Sequence, residues 1–120
     1  ARALELPNGM ALNYPNLMFE YGNFVYKTER EIIRTHGPRI TENVVQALAR
    51  IVITDQMLEV QAMPEVDIVL QVHDEIIAIG SELDSDATME KIINIMRTAP
   101  DWCSDLPLDA EGGVSQVYDK

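Results

Sequence analysis

The residues of this chain best suited to chemistry are His73, Asp74 and Glu75, which sit together where two apolar runs meet. Those runs, Val66 to Val72 and Glu75 to Ile79, are apolar at successive positions, the pattern of strands covered on both faces. A short reversal between two strands normally takes Asn-Gly or a similar pair, because positive φ is needed there. His-Asp-Glu breaks that rule, and a local departure in an otherwise consistent sequence tends to mark function. A carboxylate held on a rigid hairpin tip suits a hard divalent cation such as magnesium. Adjacent carboxylates do not complete a metal site, so a further acidic element has to come from elsewhere. The competing reading is a solvated acidic turn, and the spacing alone does not separate the two.

The elements around this turn follow from the spacing of apolar and turn residues. Leu4-Glu5-Leu6 and Met10 to Tyr14 alternate on either side of Pro7-Asn8-Gly9, which predicts a hairpin. Met18 to Lys27 predicts an extended stretch broken at Gly22-Asn23, and Gly37-Pro38 punctuates the chain. Residues 1–40 therefore read as a β-rich hairpin region. Thr41 suits an N-cap with Glu42 in the first turn, so a helix is expected over 41–63, ended by Pro64. Val44, Leu48, Ile51 and Leu58, widened by Val45, Ala49, Val52, Met57 and Val60, give so broad an apolar arc that this helix should be largely buried. Asn43, Gln46, Arg50 and Thr54 form its polar stripe. A second helix is expected over about 85–98, capped by Asp84, Ser85 or Asp86, with Met89, Ile92, Ile93 and Met96 on its apolar face and Pro100 as its stop. Leu106 to Tyr118 reads as a last short strand. The fold class is α+β, residues 1–120 forming one unit.

Bulk properties narrow the class. The chain has 120 residues, 47% hydrophobic and 24% charged, a globular composition. No apolar run approaches the about 18 residues that a membrane span needs. A single cysteine, Cys103, excludes an internal disulfide, and with two histidines it does not make a closed zinc site. The start, Ala1-Arg2-Ala3-Leu4, lacks a Met and enters strand-like sequence at once, which suggests a chain opened in the middle. A net charge of −11 by itself argues against a free-standing nucleic-acid binder, which usually leaves a basic footprint.

Val72-His73-Asp74-Glu75-Ile76 resembles motif C of the family A DNA polymerases, the group that includes bacterial DNA polymerase I and many phage replicases. Upstream, Gly37 to Arg50 is similar to the helix that precedes motif C in phage members. Downstream, Trp102 and Leu106-Pro107-Leu108-Asp109-Ala110-Glu111-Gly112 are similar to the end of those enzymes. The resemblance covers nearly the whole chain, more firmly after Gly37, and implies the C-terminal part of a palm, an antiparallel sheet whose motif C hairpin packs against the two helices. The activity it implies is template-directed nucleotidyl transfer: the primer 3′-hydroxyl attacks the α-phosphate of a deoxynucleoside triphosphate, and two magnesium ions clamp the attacking and leaving oxygens. Asp74 matches the family's metal-binding aspartate and Glu75 its acidic neighbour. His73 is expected near the primer terminus. Gln46 matches a residue that reaches the DNA minor groove, with Arg50 and Asn43 on the same surface.

Two departures accompany the resemblance. Ile51 stands where phage relatives tend to carry Asp, which should alter a packing or helix-surface contact rather than the chemistry. The 120 residues also contain no Asp-Tyr-Ser segment and no fingers helix with a triphosphate-gripping Lys, so the chemistry is incomplete here and the chain alone is expected to be inactive. In such an enzyme the charge of −11 fits an acidic palm whose basic surface lies in other domains. The expected partners are primer-template DNA and deoxynucleoside triphosphate, the expected location is the host cytoplasm, and no membrane is involved. A homo-oligomer formed through exposed palm surface is a further expectation. Two other classes stay in view: a non-catalytic module that self-associates through an exposed sheet edge, and a metal-dependent phosphoesterase using Asp74, Glu75 and Glu111. Trp102, Cys103 and the methionines read as packing residues, and Tyr21, Phe24 and Tyr26 as sheet packing rather than base-stacking groups.

Overall fold

A computed structural model describes residues 2–20 and 22–118; Tyr21 lies outside the described residues. The chain divides into two compact units, residues 1–51 and 52–120. It is α+β, with antiparallel strands in three small sheets and two α-helices among the described residues.

In the first unit, strands β1 (Ala3–Glu5) and β2 (Ala11–Asn13) form the expected hairpin. Its turn is built as local chemistry dictates. Gly9 takes a φ of 86°, its N–H donates to the Leu6 carbonyl at 3.0 Å, and the Asn8 Oδ1 accepts from the Met10 N–H at 3.1 Å. Strands β3 (Met18–Glu20) and β4 (Asn23–Lys27) form a second hairpin with Gly22 at a φ of 79°. A strand not foreseen, β5 (Ile32–Thr35), adds to the other edge of β4. Tyr14, Val25 and Thr35 are buried here. The aromatic rings pack in edge-to-face pairs, Tyr14 on Tyr26 and Phe19 on Phe24, both with centroids 5.2 Å apart, as packing residues of the sheet should.

Helix α1 (Gly37–Gln61) starts four residues before Thr41, so Thr41 is not its cap. The first intrahelical bond runs from the Ile40 N–H to the His36 carbonyl at 3.0 Å. Pro38 thus sits in the first turn, where its locked φ suits the helix and its missing N–H costs nothing. A Gly-Pro pair that looks like a break is a helix start. The helix is also less covered than its apolar arc suggests: Ile51, Ile53 and Val60 are buried, whereas Val45 is 59% and Leu58 66% exposed. Ile51 belongs to the core, consistent with a packing role.

In the second unit, β6 (Val66–Val72) pairs with β7 (Glu75–Gly80) and α2 (Ser85–Arg97) follows. The end of α1 fixes the start of the hairpin. Gln61 accepts the Ile68 N–H on its Oε1 at 2.9 Å and donates from Nε2 to Asp67 Oδ1 at 3.2 Å. Val60, with no exposed surface, and Val66 anchor the core at the same junction. Burying a side chain of that size contributes about 1.5–3 kcal/mol. Gln56, also buried, donates to the Met96 carbonyl at 3.0 Å and ties α1 to the last turn of α2.

The pairing slips by one residue between Ile68 and Leu70, leaving Val69 as a bulge. Because side chains alternate, this slip reassigns the faces of β6. Val66, Ile68, Gln71, Ile76 and Ala78 share the better covered face. Leu70, Val72, Glu75, Ile77 and Ile79 share the other, where Leu70 is 45% and Ile79 64% exposed. Cover on both faces, expected from the apolar runs, is therefore absent within the described residues. The expected final strand is also absent among them. From Leu106 to Tyr118 the chain is irregular and held by side chains, as where Arg97 donates to Asp109 Oδ1 at 2.7 Å and to the Ala110 carbonyl at 3.0 Å.

Candidate functional site

The residues read as functional gather at two places, one in each unit. In the second unit, Val72 pairs with Glu75, so His73 and Asp74 alone make the turn. His73 takes a φ of 53° while Asp74 does not take positive φ. A side chain in that region costs about 1–2 kcal/mol relative to the right-handed regions, and His is among the residues that tolerate it best. Gln71 donates from Nε2 to the His73 carbonyl, which braces the turn from the adjoining strand. His73, Asp74 and Glu75 are all exposed. Glu75, the first residue of β7, lies on the open apolar face with Leu70, Val72 and Ile77. The result is a carboxylate presented on a braced two-residue tip, with a second carboxylate at its base.

Such a pair can share a hard cation, but it does not enclose one. Among the described residues, no group of three His, Cys, Asp or Glu side chains stands close enough to hold a metal ion. This chain by itself therefore does not fit the two magnesium ions that the resemblance implies. Glu111 likewise does not join Asp74 and Glu75 in a cluster among the described residues.

In the first unit, Asn43, Gln46 and Arg50 follow one face of α1 at spacings of three and four. Gln46 and Arg50 are exposed and Asn43 is half-buried. Asn43 donates from Nδ2 to the Tyr14 hydroxyl at 2.9 Å, and Gln46 donates from Nε2 to Glu42 Oε1 at 3.2 Å. Asn43 and Gln46 line an open cavity of about 440 Å³ together with Tyr14, Tyr26 and Asn13. The sequence reading missed Tyr14. Its signal was a tyrosine on an alternating strand, which when buried needs a partner for its hydroxyl.

Two carboxyl groups of the second unit are held below their usual range. Glu65 is lowered by its own backbone N–H and then by Lys91, whose Nζ lies 3.2 Å away. Asp109 is lowered by the Ala110 N–H and then by Arg97. Both are exposed pairs, Lys91 with Glu65 tying α2 to the segment just before β6 and Arg97 with Asp109 tying its last turn to the chain beyond it, and pairs of this kind contribute little each. Trp102 is 37% exposed, lining a groove with Leu58, Val52 and Ile95, so it packs only in part.

No described helix is long and apolar enough to cross a membrane. No protein-family model matches the chain, and no solved structure matches it. The chain is similar to a DNA polymerase of Bacillus phage SP02, at 30% identity over 130 aligned positions that take in 98% of this chain and 19% of the phage protein. It thus spans about a fifth of the length of that curated relative. The similarity relates the chain to one portion of a DNA polymerase.

Proposed function

We propose that this chain is the motif C-bearing part of the palm of a family A DNA polymerase, and that it works only within the longer protein. The observation that carries this reading is the braced tip at His73-Asp74, where an exposed turn puts His73 in the left-handed conformation usually left to glycine and presents the Asp74 carboxylate beside it. The similarity to a phage DNA polymerase along almost the whole chain supports it.

In this reading Asp74 supplies one share of a magnesium site, with Glu75 beside it, and the remaining carboxylates come from other segments of the enzyme. When bound, magnesium neutralises charge on the phosphate oxygens of the incoming nucleotide. The residues of this chain do the positioning. The β6–β7 pairing and the Gln71 bond hold the Asp74 backbone, the His73 imidazole faces the primer end, and Asn43, Gln46 and Arg50 contact the minor groove of primer-template DNA. A net charge of −11 makes the chain alone a poor DNA binder, since phosphates are repelled by its uncompensated carboxylates.

A second reading, a non-catalytic module that self-associates through exposed apolar surface, rests on the bare apolar face at Leu70 and Ile79. The two readings separate in one experiment. In the full-length protein that contains this sequence, Asp74→Ala should cut single-turnover primer extension by about a thousandfold, the loss of roughly 4 kcal/mol of charge stabilisation. Duplex affinity should stay within about threefold, because specific metal contacts and phosphate contacts are separate contributions. Comparable extension by wild type and variant would refute the metal role.

A further inference from the structure

We infer that Tyr14 is a positioning residue for DNA contact: its hydroxyl holds the Asn43 amide, so that Asn43 and Gln46 present a preset polar edge in the cavity of the first unit. The inference rests on the reading of Asn43 as a minor-groove contact and extends it to a residue on a different element, 29 positions away in sequence.

The geometry carries it in three steps. Tyr14 is only 5% exposed, so its ring is fixed, and the edge-to-face contact with Tyr26 at 5.2 Å fixes it further. Its hydroxyl accepts from Asn43 Nδ2 at 2.9 Å, which leaves the Asn43 Oδ1 and its second N–H as the groups able to meet a ligand. Three residues along the same helix face, Gln46 has its own amide nitrogen engaged by Glu42 at 3.2 Å. Both amides line the same open cavity of about 440 Å³, with the aromatic edges of Tyr14 and Tyr26 beside them. An amide held in one orientation loses less rotamer freedom on binding than a free one, which is the gain of preorganisation. The chemistry fits the sugar and base edges of a duplex minor groove, whose acceptors N3 and O2 match the free amide N–H and whose guanine amino group matches the free Oδ1.

Tyr14→Phe removes only the hydroxyl and leaves the ring packing in place. In the full-length polymerase, Tyr14→Phe should raise the KM for primer-template about threefold to tenfold, the worth of one hydrogen bond. The rate at saturating primer-template should stay unchanged. Asn43→Ala should raise KM by at least as much, and the double variant should match Asn43→Ala alone, since Tyr14 acts through Asn43. The thermal midpoint of Tyr14→Phe, read alongside, reports the structural contribution of the hydroxyl. Additive effects of the two substitutions on KM would overturn the inference while leaving Asn43 as a DNA contact. So would an unchanged KM in Tyr14→Phe, with or without a lowered midpoint. A silent Asn43→Ala would instead overturn the contact reading itself, and the role of Tyr14 with it.

Discussion

The hairpins β1–β2 and β6–β7 reverse the chain in opposite ways. In the first, the positive φ falls on Gly9, and an added Cβ there would meet nothing within 4 Å, so the position is chosen for backbone freedom alone. In the second it falls on His73, next to Asp74, and the turn is braced by Gln71. The first joins strands of three residues, and the second joins strands of seven and six. A turn whose only task is to reverse the chain takes the residue that costs least. The longer hairpin carries the costlier turn, which makes sense if its side chains have work to do.

The most forceful way to break this contrast is to give the second hairpin the chemistry of the first. Replacing His73 by Gly and Asp74 by Asn should stabilise the protein by about 1 kcal/mol in chemical denaturation, since the left-handed strain at position 73 is relieved. The same change in the full-length enzyme should abolish primer extension, with a loss of about a thousandfold. Retained extension would mean that the tip is only a turn. A smaller effect comes from the opposite exchange. Gly9→His should cost about 1–2 kcal/mol, all of it backbone strain because space is open there, and should leave primer extension unchanged. If that substitution costs nothing, the histidine at position 73 ceases to be a departure that needs explaining.

Much of this was legible wherever the deciding chemistry is local. Asn8-Gly9 and Gly22 announce their turns because few residues accept positive φ, and Pro64 marks the limit of α1 because it cannot continue a helix. The β6–β7 hairpin with His73-Asp74 at its tip was readable for the same reason, two apolar runs flanking a polar turn. Pro38 misled because proline serves both as a breaker and as a first-turn residue, and the choice depends on what the following residues do. The bulge at Val69 carries no Gly or Pro, and nothing local distinguishes it from its neighbours. The apolar runs of β6 and β7 record a demand for cover on both faces; they do not say which residues supply it, and Leu70 and Ile79 stay exposed within these 120 residues. Of the candidate site, the tip was legible as a polar turn between apolar runs, and helical spacing put Asn43 and Gln46 on one polar stripe of α1; a role for them in DNA contact came only from the resemblance, and the bond from Asn43 to Tyr14 depends on how β2 and α1 come together in the first unit.

The proposed role of Asp74 as a cation ligand is tested most directly by exchanging its carboxylate for a thiolate. In the full-length enzyme, Asp74→Cys should abolish primer extension in magnesium and recover part of it in manganese, which tolerates a sulfur ligand better than magnesium does. Equal loss in both ions, with duplex binding intact, or no loss in either, contradicts coordination by this side chain.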